Sequence, residues 1–149
     1  MKSGVRSSVP SASVARPVTY RISREAFDRI MVHAQVENPR ECCGVLLGRG
    51  TEIVDVVATR NLAQKATEFV IDPQGHIGAL RDARRRGLEV VGFYHSHPHT
   101  DAVPSPLDLA EASYRDCVYL IASLACDPGE IRLFQYECDR YVEVSLTVG

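Results

Sequence analysis

The amino-acid sequence predicts a three-layer α+β domain, in which a mixed, curved β-sheet is flanked by helices. Its strand-like segments are grouped and three capped helical segments lie between them, which is unlike a regular βαβ repeat. The chain has 149 residues, of which 45% are hydrophobic, enough to form the core of one domain. We divide it into a disordered tail, residues 1–17, and a single domain, residues 18–149. The tail is rich in serine and small residues and has no apolar run of the kind that a secretory signal requires.

The first half of the domain is predicted to form a strand, a helix and a hairpin. Residues 18–22 form a short strand, and Ser23 is placed as the N-cap of a helix that ends near Val36. Residues 43–48 (CGVLLG) and 52–58 (EIVDVVA) flank a glycine-containing turn and are typical of two paired strands.

The second half is predicted to contain two helices and several strands, and the second of these helices starts at Ser105. Asp72 and Pro73 are a strong helix start, as N-cap and first helical residue, and the helix should end near Arg86 with Ile77 and Leu80 facing inward. The strands are predicted at residues 68–71, 88–94, 117–124, 131–137 and 141–146.

A cluster of metal-ligand residues follows the apolar strand at residues 88–94. His95 and His97 are followed by seven residues and then by Ser105 and Asp108. If the strand continues through His97, the two histidines point the same way with Cα atoms about 6.6 Å apart, and can converge on one zinc ion. Ser105 and Pro106 indicate a helix start, which puts Asp108 in the first turn, where it can face the histidines. Two histidines and one carboxylate leave a fourth position open, as in catalytic zinc sites.

Each part of this pattern also has a simpler interpretation. Ser105 and Asp108 alone would be an ordinary capping pair, and the two roles are compatible. Glu41, upstream, would alone be an exposed charge at the start of a strand. Beside a metal site, however, hydrolysis needs a carboxylate that accepts a proton from water, and this favours a catalytic role for Glu41.

The combination resembles the JAMM motif of the JAB1/MPN/Mov34 metalloproteases, in which an upstream Glu precedes H-x-H, seven residues and S-x-x-D. The upstream part is PRECCGVLLG at residues 39–48, and the resemblance extends over about residues 20–145. It implies a cytidine-deaminase-like MPN fold and one catalytic Zn²⁺ held by His95, His97 and Asp108. It further implies that Glu41 is the general base and that the Ser105 hydroxyl donates a hydrogen bond to the tetrahedral oxyanion.

The resemblance is greatest to short bacterial members that act on ubiquitin-like sulfur-carrier proteins. It implies a zinc (iso)peptidase that hydrolyses the amide bond after the C-terminal diglycine of such a carrier, and it leaves a homodimer open. An extended diglycine tail could bind to a sheet edge by β-augmentation. The connection between the hairpin and the second helix is too short for the large insertions with which eukaryotic deubiquitinating members hold ubiquitin.

Two other functions are associated with similar sequences. A non-catalytic MPN scaffold that binds partners typically lacks motif residues, whereas all five are present here. A RadC-like, DNA-repair-associated relative would be expected to carry a helix-hairpin-helix segment ahead of the domain, for which this chain has no room.

Composition excludes further classes. The net charge of −2 and pI near 6.2 argue against a nucleic-acid binder. The longest apolar stretch, residues 118–126, is far shorter than the ~20 residues of a membrane helix, so no membrane segment is predicted. Five cysteines, an odd number, make a disulfide framework unlikely in a chain that can form a core, and favour a reducing cytoplasm.

Overall fold

The computed structural model describes residues 18–106, 108 and 116–149, so the predicted tail lies outside the described residues. The helices are α1, Arg24–Glu37, and α2, Pro73–Arg85. The strands are β1 Thr19–Ile22, β2 Cys43–Arg49, β3 Glu52–Thr59, β4 Glu89–His97, β5 Val118–Ser123, β6 Glu130–Glu137 and β7 Arg140–Val148. None of the helices found in these ranges is long and apolar enough to span a membrane.

The strands form one mixed sheet in the order β1-β3-β2-β4-β5-β6-β7, which closes into a barrel. The predicted mixed sheet with helices is confirmed, but the predicted three-layer arrangement is corrected to a closed, barrel-like sheet. Closure occurs because β1 pairs in parallel with β3, where Arg21 is opposite Glu52, and also with β7, where Tyr20 is opposite Leu146. Alternating hydrophobicity predicts strands without reporting which of them pair, so it could not predict that the two sheet edges meet.

Helix α1 begins where its sequence predicts and packs against the sheet. The Ser23 hydroxyl accepts a hydrogen bond from the Ala26 amide at 3.1 Å, which satisfies one of the free donors at the helix start. Ala26, Ile30 and Ala34 are buried on the face that packs against the sheet, in the cluster that contains Leu46 and Tyr94.

Helix α2 also begins as predicted, but it buries a different face. The Asp72 carboxylate accepts a hydrogen bond from the Gln74 amide at 3.0 Å. Ile77 and Leu80, which were predicted to face inward, are 49% and 47% exposed. The buried residues are Ala79 and Ala83, which pack in one cluster with side chains of β2, β4 and β5. The prediction was wrong because it ranked side chains by size, whereas small alanines one turn apart let the helix lie close to the sheet.

The predicted strand at residues 68–71 is also wrong. Only Ile71 makes a strand-like pairing, in a single bridge with Asn61. The carbonyl of Glu68 and the amide of Val70 instead bind the side chain of Asn61. The other predicted strands are present, and each of their ends lies within three residues of the predicted position.

Strand β4 carries the two histidines and is held between β2 and β5. His95 lies opposite Cys43 in the antiparallel pair with β2 and opposite Ile121 in the parallel pair with β5. The register of β2 and β4 shifts near Gly92, and a Cβ added to Gly92 would lie 2.0 Å from the carbonyl oxygen of Val118. Glycine is therefore needed here for the close approach of two backbones.

We expect Gly92→Ala to lower the free energy of unfolding by about 3 kcal/mol, since either β4 or β5 must move to accommodate the methyl group. The matched control is Gly78→Ala in helix α2, where an added Cβ meets nothing within 4 Å. That change should stabilise by about 0.5–1 kcal/mol, because alanine is the better helix former. Urea denaturation of both variants measures the two effects, and equal stability of the Gly92 variant and the parent would contradict this account.

Candidate metal centre

The two histidines predicted to bind metal share one face of β4. His95 and His97 are each 4% exposed, as expected for side chains two residues apart on a strand between two neighbours. Ser96, between them, points to the opposite face, where its hydroxyl accepts a hydrogen bond from the Cys42 amide at 2.8 Å. The alternation of the strand thus separates possible ligands from a residue that holds the backbone.

Asp108 reaches the histidines from the start of the helical segment after the loop. Its carboxylate oxygen Oδ2 accepts a hydrogen bond from the Ser105 amide at 2.9 Å, and its own amide donates to the Ser105 hydroxyl at 3.1 Å. This reciprocal pair is a capping box, with Asp108 at the third helical position. Residue 107 and residues 109–115, which follow the predicted helix start, lie outside the described residues. The capping geometry and the approach to the histidines occur together.

The three candidate ligand atoms lie at nearly equal separations. Nε2 of His95 and Nε2 of His97 are 3.2 Å apart, and Oδ2 of Asp108 is 3.2 Å from the first and 3.1 Å from the second. Ligands bound at about 2.05 Å in a tetrahedral site are about 3.3 Å from one another. The group therefore has the spacing of three corners of a tetrahedron and could hold a metal ion.

The hydrogen bonds around His97 determine which of its ring nitrogens can bind a cation. Nδ1 of His97 lies 2.8 Å from the backbone carbonyl of Asp101, which can only accept, so Nδ1 carries the proton and Nε2 is left with a lone pair. Burial lowers the pKa of His97, but the hydrogen bonds to Asp108 and Asp101 outweigh it, so the pKa is raised overall. For His95 burial prevails and lowers the pKa, which favours the neutral ring that metals bind.

Asp108 stays ionised in this environment. Burial alone would raise the pKa of its carboxyl, but hydrogen bonds from His95 and His97 reverse this effect and hold the pKa well below its usual range. A buried carboxylate beside two imidazoles supplies the negative charge that a divalent cation needs.

Glu41 lies beside this group, at the entry to β2. Its side chain is buried, with the residue 7% exposed, and its Oε1 finds no hydrogen-bond partner in the described part of the chain. Burial raises the pKa of Glu41 to about 8, with a smaller lowering by His97 and smaller increases from Asp108 and Glu68. Buried polar atoms usually have partners, so a buried carboxyl oxygen without one among the described residues, in a group with a raised pKa, makes Glu41 a candidate functional residue.

Two cavities open beside the group. One, of about 210 Å³, is lined by Glu41, His97, Ser105, Pro39 and Thr67 among others. The other, of about 300 Å³, is largely aromatic and includes Phe69, Phe93, Tyr119 and Tyr141 together with His95 and Asp108. A molecule that spans both cavities would cross the three candidate ligand atoms.

Several residues that shape the site were missed from the sequence. Phe69 stacks on the ring of His95 at 4.2 Å between centroids, and the Tyr141 hydroxyl donates to the Asp108 carbonyl at 2.8 Å. Asn61 binds the Glu41 carbonyl at 2.9 Å. Ser96 could have been found from the period of the strand, which turns it away from the histidines. Nothing in the local sequence signals the other three contacts, which join distant segments.

The fold and site define a domain whose closed mixed sheet presents a buried His-His-Asp group able to hold a metal, with a carboxyl group nearby. Among known protein families, the prokaryotic homologs of the JAB domain match residues 23–137, and the chain belongs to this family.

Two relatives and one solved structure are similar over much of the chain. A desampylase of Haloferax volcanii is 34% identical over 136 residues, which cover 85% of this chain and 94% of that protein. A probable TtuB-protein conjugate cleaving protease of Thermus thermophilus is 34% identical over 63% of this chain and 64% of that one. The solution structure of a protein from Desulfitobacterium hafniense superimposes with a TM-score of 0.80 at 30% identity, covering 89% of this chain and 93% of that one.

We expect one divalent ion to bind per chain, and Asp108→Ala to weaken its binding by about 100-fold, because one of three ligand atoms is lost. Titration with Co²⁺, followed by its visible absorption, measures affinity and reports tetrahedral geometry. Asp101→Ala is the matched control, since Asp101 contacts His97 only through its backbone carbonyl. If the Asp108 variant bound Co²⁺ as tightly as the parent, Asp108 would not be a ligand.

The affinity for Co²⁺ should also fall in acid. A metal can bind His97 only after its ring has lost the second proton, and the pKa of that ring is raised above its ordinary value of 6.5. Binding should therefore be strongest above the raised pKa and weaken as the pH falls through it. Co²⁺ titrations between about pH 5.5 and 8 test this sign, and an affinity that increased in acid would contradict it.

Proposed function

We propose that this protein is a zinc-dependent peptidase or isopeptidase that hydrolyses the amide bond after the C-terminal diglycine of a ubiquitin-like or sulfur-carrier protein. The observation that carries the proposal is the position of Glu41 beside three converging ligand atoms, with its buried Oε1 lacking a hydrogen-bond partner among the described residues. The relatives support the substrate class, because one is named a desampylase and the other a protease that cleaves TtuB-protein conjugates.

Zinc suits the group formed by His95, His97 and Asp108, which offers two nitrogens and one oxygen at tetrahedral spacing. When bound, it would supply Lewis acidity that polarises the scissile carbonyl and makes the attacking water more acidic. The chain holds the three ligands rigidly, on a central strand and at a capped helix start, so little reorganisation is needed on binding.

Glu41 would move the protons. Its carboxylate accepts the proton of the attacking water and then gives it to the departing amine. Burial, the first cause of its raised pKa of about 8, makes the carboxyl a better proton acceptor than an exposed one. A cation at the neighbouring ligand group would counteract this rise, and so bring the pKa of Glu41 towards the range in which it can both accept and return a proton.

Ser105 would stabilise the charge that develops on the substrate oxygen. Its hydroxyl oxygen accepts a hydrogen bond from the Asp108 amide, which leaves the hydroxyl proton available to a substrate in the cavity it shares with Glu41 and His97. A donor aimed at a developing oxyanion commonly contributes about 3 kcal/mol to the lowering of the barrier.

The two parts of the substrate on either side of the scissile bond occupy different cavities. Because Glu41 returns the proton to the departing amine, the leaving group occupies the cavity lined by Glu41, His97 and Ser105. The diglycine tail then approaches from the aromatic side, past Phe69 and His95. A scaffold without catalysis gives no reason for a buried carboxyl oxygen that has no partner in the described part of the chain, since such an atom only costs stability.

The role of Glu41 can be tested with Glu41→Gln, which keeps the shape of the side chain but cannot act as the proton acceptor. We expect turnover to fall by about 1,000-fold or more while one Co²⁺ still binds per chain with parental affinity. Steady-state or single-turnover hydrolysis and the Co²⁺ titration are measured on the same preparation. Loss of the metal would make Glu41 a ligand, and parental turnover would exclude it as the base.

A further experiment identifies the bond that is cut. A ubiquitin-like carrier that ends in diglycine and bears a short C-terminal extension is incubated with the zinc-loaded protein, with and without a chelator. Intact-mass spectrometry should show loss of the extension after the second glycine, and the chelator should prevent it. A carrier in which alanine replaces the second glycine serves as the matched control. An uncut carrier beside a fully zinc-loaded enzyme would exclude this substrate class.

A further inference from the structure

The general base at Glu41 needs something to hold it, because its Oε1 has no hydrogen-bond partner in the described residues. We infer that Asn61 is a positioning residue for Glu41, acting through the loop that joins β3 to α2, residues 60–72. This inference rests on the proposed function for its catalytic consequence, while its structural content can be tested without activity.

Asn61 uses all the hydrogen-bonding capacity of its side chain. Its Nδ2 donates to the carbonyls of Glu41 and Glu68, both at 2.9 Å. Its Oδ1 accepts from the amides of Ala63 and Val70, also both at 2.9 Å. The orientation of the amide is unambiguous, since both partners of Nδ2 are carbonyls and both partners of Oδ1 are amides.

Asparagine is the side chain that fits this position. Aspartate has the same shape and could keep both acceptor contacts, but it has no donor for the two carbonyls when it is ionised. Glutamine is one methylene longer, and serine offers only one donor. A complete set of four hydrogen bonds made by one half-buried amide to four separate backbone groups is therefore a specific requirement of this loop.

The same loop binds both backbone groups of Glu41. The Glu41 amide donates to the Ala66 carbonyl at 2.9 Å, and the Glu41 carbonyl accepts from Asn61. The next residue, Cys42, is held from the other side by Ser96, whose hydroxyl and amide bind the Cys42 amide and carbonyl at 2.8 and 3.0 Å. The backbone that carries the general base is thus fixed between the loop and strand β4.

The loop also touches a candidate metal ligand. Phe69 lies between the two residues of the loop that Asn61 binds, Glu68 and Val70, and its ring stacks on His95 at 4.2 Å with an interplanar angle of 16°. Through one amide group, Asn61 therefore fixes the distance between the backbone of Glu41 and the residues around Phe69, whose ring packs against the candidate metal centre. Losing its donors should displace Glu41 from the attacking water more than it disturbs the ligands on β4.

The test compares Asn61→Asp with Arg40→Met. The Arg40 side chain donates to the Ala63 carbonyl at 2.6 Å, so the control also removes a tie to the loop, but it leaves both backbone contacts of Glu41 in place. We expect Asn61→Asp to lower kcat on the extended carrier by about 30-fold or more, with KM within about threefold and Co²⁺ affinity unchanged. Arg40→Met should stay within about threefold of the parent in kcat.

A double-mutant cycle separates positioning from general damage. If Asn61 acts through Glu41, then Asn61→Asp should cause less than about a threefold further loss when it is added to Glu41→Gln, measured in single turnovers. A residue with a merely structural role would lower the residual rate by the same factor in both backgrounds. Additive losses, or a parental kcat in Asn61→Asp, would overturn the inference.

A second readout does not depend on activity. Residue-resolved amide hydrogen exchange, followed by NMR, should show the Glu41 amide exchanging at least about tenfold faster in Asn61→Asp, while amides in the middle of β2 keep their protection. In Arg40→Met the Glu41 amide should stay protected. An unchanged Glu41 amide in Asn61→Asp would overturn the inference. If the parent cut no carrier, the proposed function would fail and the exchange data would still decide whether Asn61 holds Glu41.

Discussion

The structure depends on the close approach of three buried polar atoms that do not stabilise one another fully. Nε2 of His95 and Nε2 of His97 lie 3.2 Å apart, and both face the same oxygen of Asp108. Both rings can donate to this oxygen, but their two N–H groups then lie close together, whereas a divalent cation satisfies all three atoms at once. The closed sheet makes this arrangement possible, because β4 is bonded on both sides and cannot relax to separate the two rings.

The same constraint explains why the remaining parts come from outside the sheet. A strand can present only alternate residues to one face, so after His95 and His97 the third ligand must come from another element. The capped start of a helical segment supplies Asp108, and its reciprocal hydrogen bonds with Ser105 orient the carboxylate before any cation arrives. Glu41 lies just before the start of β2, the strand that pairs with β4 on the side away from β5.

Which features of the fold and site could be predicted from sequence depends on how far apart in the chain the interacting residues lie. The facing histidines and the capping pair of Ser105 and Asp108 are local, so period and spacing were enough to predict them. Asn61 and Phe69 act on residues 20 and more positions away, and neither has a distinctive local pattern. Closure of the sheet was missed for the same reason, since it depends on pairing of the first strand with the last. The face of helix α2 was wrong because small buried residues carry little hydrophobic signal.

These long-range contacts differ in what they contribute. Sheet closure and the alanine face of α2 place β4, and many apolar sequences could do the same, since cores tolerate exchange of side chains when volume is kept. Asn61 is different, because four backbone groups with fixed directions must be satisfied by one amide. Its loss would leave two carbonyls without donors beside the base, and the backbone would have to shift to find water or other partners. If Glu41 is the general base, such a shift would slow the reaction, because proton transfer needs the carboxylate within hydrogen-bond reach of the water. On this inference the position of the base depends on a side chain whose four hydrogen bonds all go to backbone groups.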